Sequence, residues 1–284
     1  MIVLSFIIVN YNTCLLTSNC IESILNLKLS YSYSYEIIVV DNASTDDSLI
    51  VLSKRYPCIR IVKNDKNWGF GKANNIGATV ATGKYLFLLN SDTIMYKDVC
   101  KSLMDFYEQH QYLNIGVLGI NLLNSENKAS HSYGNFPRSF KTEHRKRNII
   151  KSVETYSLVD VIIGADMFIP KDLFLAFGGF DENIFLYEEE MEFQYRLNIN
   201  GYYSYLLKMD GIIHLEGKSS DSYFKRICSF RSMCYIHKKH LSLMKYYKYR
   251  MKWLLYSIFF LKNTHISFGE KLNYLMFVCT YRLK

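Results

Sequence analysis

The chain has 284 residues, 49% of them apolar and only three of them proline, so it can build a sizeable core, and neither a disordered chain nor a linker-rich array is expected. Its net charge of +8 is uneven: residues 208–284 carry +11 and residues 1–207 carry −3, a mildly acidic body with a basic tail. Seven scattered cysteines, none at CxxC spacing, argue for free thiols in a reducing compartment, and no run reaches the roughly 18–20 apolar residues of a membrane-spanning helix.

LSFIIV (4–9) has no basic residues before it and no small-residue cleavage site, so it reads as a first buried strand and not as a signal peptide. Leu and Ile then recur at helical spacing from Thr13 to Leu27. EIIVVD (36–41) is a second strand ending on Asp41, and Ser48 to Tyr56 is a helix stopped near Pro57. IRIV (59–62) is a third strand. Lys72 to Ala81 is a helix closed by Gly83, and YLFLLN (85–90) is a fourth strand running into Asn90-Ser91-Asp92. Strands apolar on both faces, alternating with helices, predict an α/β fold with a mostly parallel sheet flanked by helices. Ligands of such sheets bind beyond the carboxyl ends of the strands. There this sequence places Asn10, Tyr11 and Asn12, then Asp41, Asn42 and Ser44, then Asn64 and Asp65, then Asp92.

Residues 115–135 read as strands and loops, and FPRSFKTEHRKRN (136–148) as a basic, mobile loop. An apolar stretch, Val159 to Ile169, precedes a short helix in KDLFLAFGGFDE (171–182) that ends at Gly178-Gly179. A helix to about Asn200, a strand YYSYLL (202–207) and a segment GIIHLEGKSS (211–220) presenting His214 follow. From Tyr223 onward, basic and aromatic residues interleave at helical spacing.

Three features carry chemistry. Asp92 at a strand end suits Mg²⁺ or Mn²⁺, and equally suits a helix cap; His214 joins it as a ligand only if the fold brings the two together. Asn67-Trp68-Gly69-Phe70-Gly71 lacks the spacing of a phosphate loop and, taken alone, is a tight turn before a helix. The stretch IFLYEEEMEFQYRL (184–197) sets Glu188, Glu189, Glu190 and Glu192 in an apolar frame. On a helix Glu188 and Glu192 share a face while Glu189 and Glu190 point elsewhere. Crowding and burial should raise at least one of these carboxyls into the range of a general base, although a helix N-terminus also favours acids.

The ordered segments SFIIVNYNT, IIVVDNASTDDS, NDKNWGFGKANNIGA, GKYLFLLNSDT, GADMFIP, GGFDENIFLYEEEMEF and IIHLEGKSS together resemble the inverting glycosyltransferases of family 2, in their rhamnosyltransferase-like branch, over residues 3–240. The resemblance implies a GT-A fold, with a catalytic domain over 1–221 (nucleotide half 1–100, acceptor half 101–221) and a helical extension over 222–284. It implies that Asp41 contacts the nucleobase with Tyr11, Asn12 and Asn42 nearby. Asn67, Gly69, Phe70, Asn74, Asn90 and Ser91 shape the sugar-nucleotide pocket. Asp92 takes the last position of the family's Asp-x-Asp motif and His214 completes the site for Mg²⁺ or Mn²⁺.

Glu189-Glu190 aligns with the family's Glu-Asp pair, which makes Glu190 the general base and gives Glu189 to acceptor binding or loop orientation. Three residues depart from the family pattern: Asn90 replaces the first acid of Asp-x-Asp, Glu190 replaces Asp, and Glu216 stands where Gly is common. The expected donor is a nucleotide sugar, dTDP-rhamnose first, with UDP-hexose, UDP-galactofuranose or UDP-N-acetylhexosamine as alternatives. The expected acceptor is a glycan, lipid-linked in such pathways. The basic, aromatic tail suits a membrane surface and not nucleic acid, so the protein is expected in the cytoplasm, peripheral to the inner face of the cell membrane. A catalytically inactive scaffold on the same fold is the rival expectation.

Overall fold

A computed structural model describes residues 2–29, 33–141, 153–215, 222–260 and 268–281. The strands are β1 (Leu4–Asn10), β2 (Tyr35–Asp41), β3 (Arg60–Lys63), β4 (Tyr85–Asn90), β5 (Thr93–Met95), β6 (Ile115–Leu123), β7 (Tyr133–Gly134), β8 (Tyr156–Val159), β9 (Val161–Ile162), β10 (Asp166–Pro170) and β11 (Tyr203–His214). The helices are α1 (Cys14–Asn26), α2 (Ser48–Arg55), α3 (Phe70–Val80), α4 (Cys100–Gln109), α5 (Lys171–Ala176), α6 (Glu189–Ile199), α7 (Ser222–His240), α8 (Leu243–Phe260) and α9 (Phe268–Thr280).

The main sheet runs β3-β2-β1-β4-β10-β6-β11-β5, with β8 also paired to β11. Its first four strands are all parallel, as their two-faced apolar runs predict. β10 enters antiparallel between β4 and β6, and β6 pairs parallel with β11. One face is packed by α1 and α4, with Ile21, Ile24 and Leu103 against Phe6, Phe87 and Phe168. The other is packed by α3, α5 and α6, with Ala73, Phe174 and Phe193 against Ile7, Leu88 and Met167.

Three expectations are corrected. α3 begins at Phe70, not Lys72, because the chain turns into the helix directly after Gly69. β11 continues from Tyr203 through His214 as one strand; Lys208-Met209-Asp210 interrupts its apolar pattern where the pairing with β6 shifts register between Leu207 and Ile212. The start of the 136–148 segment is anchored, not mobile. Phe136 and Phe140 are buried against Tyr195 and Ile236, and the Phe136 N–H donates to Asp160 Oδ2 at 2.8 Å. Residues 142–148 lie outside the described residues.

The basic tail folds as α7, α8 and α9 around a cluster of Phe230, Cys234, Tyr246, Tyr274 and Val278. Arg250 serves this bundle internally, donating to the carbonyls of Val278 and Tyr281 at 2.9 Å.

Candidate active site

The carboxyl ends of β1, β2 and β4 lie in one row: Asn10 pairs in register with Asp41, and Val9 with Asn90. Asn10 Nδ2 donates to Asp41 Oδ1 and to Ser44 Oγ, both at 2.9 Å. The Ser44 N–H donates to Asp41 Oδ2 at 3.2 Å. Asp41 is buried with two acceptor positions used, and a carboxylate has about four. Asn12, in the left-handed region at φ 54°, accepts the Thr45 N–H on Oδ1 at 2.7 Å and so folds the 44–46 loop over the row. Tyr11 beside it is 44% exposed. Thr13 Oγ1 links α1 to Ser91 Oγ at 3.3 Å.

Asn42 organises the second loop from inside. Its amide donates to Asn67 Oδ1 at 2.9 Å and to the Gly69 carbonyl at 3.1 Å, and its oxygen accepts Asn64 Nδ2 at 3.0 Å and the Trp68 N–H at 3.1 Å. Both donors and both lone pairs face protein, so Asn42 holds the turn in place. The turn meets the acid segment: the Phe70 N–H donates to the Phe185 carbonyl at 3.0 Å. Gly69 has φ +84°, and a Cβ there would stand 1.9 Å from that same Phe185 oxygen. Gly69→Ala should therefore force the two loops apart, and we expect at least about tenfold weaker donor binding by calorimetric titration with the fold retained. Unchanged affinity would dissociate the turn from the ligand pocket. Asn74 Nδ2 donates to the Phe70 carbonyl at 3.1 Å, while its buried Oδ1 has no partner.

The acids separate more sharply than helical geometry predicts. Tyr187 (φ 65°) and Glu188 (φ 72°) are both left-handed, so the helix starts at Glu189 and Glu188 does not share the face of Glu192. Glu188 Oε1 accepts Ser229 Oγ of α7 at 2.7 Å. Glu189 is buried with Oε2 unpartnered, and burial, reinforced by neighbouring Glu190, pushes its carboxyl well above the usual range. Burial and the charge of Glu188 push Glu190 up to about 7, although the Gly164 N–H and Lys225 favour its ionised form. Gln194 fixes this arrangement: Oε1 accepts the Ile162 N–H at 2.7 Å, and Nε2 donates to the carbonyls of Ile162 at 2.7 Å and Glu190 at 3.1 Å. The Phe70 ring covers Gly164, where a Cβ would meet it at 3.3 Å. Glu190 thus sits where the expected donor loop, the 162–164 turn and α6 converge, with its carboxyl raised toward neutral pH.

Asp92 and His214 are brought together as the metal expectation required. His214 pairs with Thr93 across β11 and β5, and its Nε2 lies 3.3 Å from Asp92 Oδ1. Among the described residues no group of three His, Cys, Asp or Glu lies together as a metal cluster. Glu216 lies outside the described residues.

Sequence reasoning missed the brace behind the site. Glu192, fully buried, accepts Arg196 Nε on both oxygens at 3.0 and 2.9 Å, Lys239 Nζ at 2.7 Å and His240 Nε2 at 2.9 Å. Lys239 also reaches Asp181 Oδ2 at 2.6 Å, and the Tyr235 hydroxyl donates to the same oxygen at 2.9 Å. Ser232 Oγ donates to the Leu186 carbonyl at 3.0 Å. Helix α7, expected in the helical extension over 222–284, is thereby clamped to α6, to the Gly178–Asn183 turn and to the loop carrying Glu188.

The model of the Glycosyl transferase family 2 family matches residues 5–174. An uncharacterized glycosyltransferase of Rickettsia felis is 34% identical over 111 residues, covering 38% of this chain and 18% of that protein, so the chain spans under a fifth of that relative's length. Rhamnosyltransferase WbbL of Escherichia coli K12 is 27% identical over 210 residues, covering 68% of this chain and 77% of WbbL. Among solved structures, S. aureus TarS 1–349 superposes with a TM-score of 0.59 at 16% identity, covering 96% of this chain and 69% of that one, and TarS 1–349 is also known in complex with UDP-GlcNAc. The architecture is the GT-A fold, a central, mostly parallel sheet flanked by helices. From its motifs, its sheet and its match over residues 5–174, the chain belongs to glycosyl transferase family 2.

Proposed function

We propose that the chain is a metal-dependent inverting glycosyltransferase, moving a sugar from a nucleotide-sugar donor to a glycan acceptor in bacterial surface polysaccharide assembly. The observation that carries this reading is Glu190, its carboxyl raised to about 7 and set against the loop that contacts the Gly69 turn. Glu190 takes the proton of an acceptor hydroxyl as that oxygen attacks the anomeric carbon; the bond from that carbon to the diphosphate breaks, and the nucleoside diphosphate leaves with the electron pair. Glu189, buried and with its carboxyl pushed well above the usual range, orients the loop or binds the acceptor. Asp41, with acceptor positions left, and exposed Tyr11 flank the nucleobase, while Asn12 and Asn42 hold the two loops that frame it. Asn67, Phe70, Asn74, Asn90 and Ser91 complete the wall of the sugar-nucleotide pocket.

Asp92 and His214, an oxygen and a nitrogen 3.3 Å apart, are the residues that would hold Mg²⁺ or Mn²⁺. When bound, such an ion neutralises charge developing on the leaving diphosphate. The match to WbbL favours rhamnose, and the TarS complex makes UDP-linked sugars the alternative donors. No described helix is long and apolar enough to cross a membrane. The basic, aromatic tail supports attachment at the cytoplasmic surface of the cell membrane, where a lipid-linked glycan acceptor is presented.

The test is a panel of dTDP- and UDP-sugars, scored for binding and nucleoside diphosphate release with Mn²⁺, with Mg²⁺ and with chelator. We expect one donor to be selected, and release to fall at least about a hundredfold without metal. A folded protein that binds no donor would favour the scaffold.

A further inference from the structure

Asp166 opens β10 and is fully buried, yet the transfer chemistry above does not use it. β10 and β6 pair antiparallel at Phe168 and Leu118, and two residues further along each strand Asp166 lies opposite Ile120. There its carboxyl supplies the link between the strands: Oδ2 accepts the Ile120 N–H at 2.8 Å, while Oδ1 is buried without a partner. Burial pushes this carboxyl well above the usual range against that one hydrogen bond. An acid in the middle of a sheet is unfavourable where an apolar side chain would pack, so the question is what the Ile120 bond holds in place.

It holds the turn just before it, and that turn joins the two sides of the proposed site. The Ala165 carbonyl accepts the Asn90 N–H at 3.3 Å, at the end of β4 that leads into Ser91 and Asp92. The Gly164 N–H supports the ionised form of Glu190. The Ile162 N–H donates to Gln194 Oε1 of α6 at 2.7 Å. Gly119, beside Ile120, leaves the room for this packing: a Cβ there would stand 2.5 Å from Ile162 Cγ2 and 3.3 Å from Asp166 Oδ2. The segment is thus tied to α6 at one end and to β6 at the other.

We propose that Asp166 is a positioning residue for sugar transfer: by tying β10 to β6 at Ile120 it fixes the 162–165 turn, and through that turn the place of Glu190 relative to the Asn90-Ser91-Asp92 end of β4. The inference rests on the reading of Glu190 as the base. A shift of about 1 Å between reacting groups costs about a hundredfold in rate. It also changes the proton affinity of the base. Glu190 is acted on by Glu188 and Glu189 of its own segment, by Lys225 of α7 and by the Gly164 N–H, and the last is the one that Asp166 positions. Loosening the turn weakens that hydrogen bond to the carboxylate and raises the pH at which Glu190 gives up its proton.

The test compares Asp166→Asn, Asp166→Leu and Asp166→Ala in the full chain. Asn keeps an acceptor for the Ile120 N–H; Leu keeps the volume and Ala does not, and neither accepts. Donor binding is measured by calorimetry, and nucleoside diphosphate release at saturating donor is followed from about pH 5 to 9 with Mn²⁺. Donor affinity should stay within about twofold in all three. Asp166→Asn should keep the parent's rate within about threefold and its midpoint at about 7. Asp166→Leu should release about 30- to 100-fold more slowly, with the midpoint raised by about half a unit to one unit. Asp166→Ala should repeat that result, and it carries the comparison where the larger side chain unseats β10. An apolar variant with the parent's rate and midpoint, or an Asn variant as slow as the apolar ones, would overturn the positioning role. Slow release with an unmoved midpoint, or loss of donor binding in both apolar variants, would make Asp166 a packing residue and overturn it equally. No release by the parent enzyme would instead overturn the reading of Glu190 on which the inference rests.

Discussion

Glu190→Gln is expected to lower sugar transfer by about 10³–10⁴-fold while donor affinity stays within about twofold, because the amide keeps the shape of the side chain and cannot accept the hydroxyl proton. In the unaltered enzyme the rate should rise with pH through about 7, since the protonated carboxyl below that value is no base. Glu189 and Glu190 titrate together, so the midpoint belongs to the pair. Stability should run the other way. A carboxyl raised above its unfolded value of 4.5 makes the folded state bind more protons between about 4.5 and 7, so stability falls as pH rises across that window. Glu190→Gln removes this penalty and should be more stable than the parent above pH 7, by on the order of 1–3 kcal/mol in thermal unfolding. A variant with full turnover would refute the base assignment.

Glu192→Ala should be the most damaging single change to the fold. It leaves Arg196, Lys239 and His240 facing an empty buried site, and breaking a buried ion pair from one side costs about 3–5 kcal/mol. For a chain of this size that is a fall in Tm of roughly 10 °C. Burial alone would raise the Glu192 carboxyl, but His240, Arg196 and Lys239 overcome it and hold the carboxyl below its usual value. Its stabilisation is therefore present above about pH 4.5 and is lost as the pH falls through the lowered value. Releasing α7 also frees Ser229 from Glu188 and Ser232 from Leu186, so activity should fall before global unfolding. An alanine variant of unchanged Tm would show that the brace carries no weight.

The first hundred residues were legible because local signals agreed. Buried parallel strands are apolar on both faces, and β1, β2 and β4 were read within a residue of their bounds. Their polar ends place Asp41 and Asp92 beyond the carboxyl ends of one parallel set of strands, and the acid cluster announces a raised carboxyl. Long-range closure was not legible. Nothing local marks Tyr187 and Glu188 as left-handed, yet that backbone decides which acid caps the helix and which enters it. Two of the three partners of Glu192 lie 47 and 48 positions downstream, on a helix whose basic, aromatic composition reads as a membrane-facing surface. Asn42 was placed in the right loop, and only the packing shows all its hydrogen bonds turned inward.

The most direct test is nucleoside diphosphate release and donor binding measured side by side in the parent enzyme and Glu190→Gln, with Mn²⁺ and the donor chosen by the panel. Water takes the acceptor's place in this assay, so no knowledge of the glycan is required. Binding by both proteins and release by the parent alone is the predicted result. Equal release by both, or binding by neither, would contradict a transferase that uses Glu190 as its base.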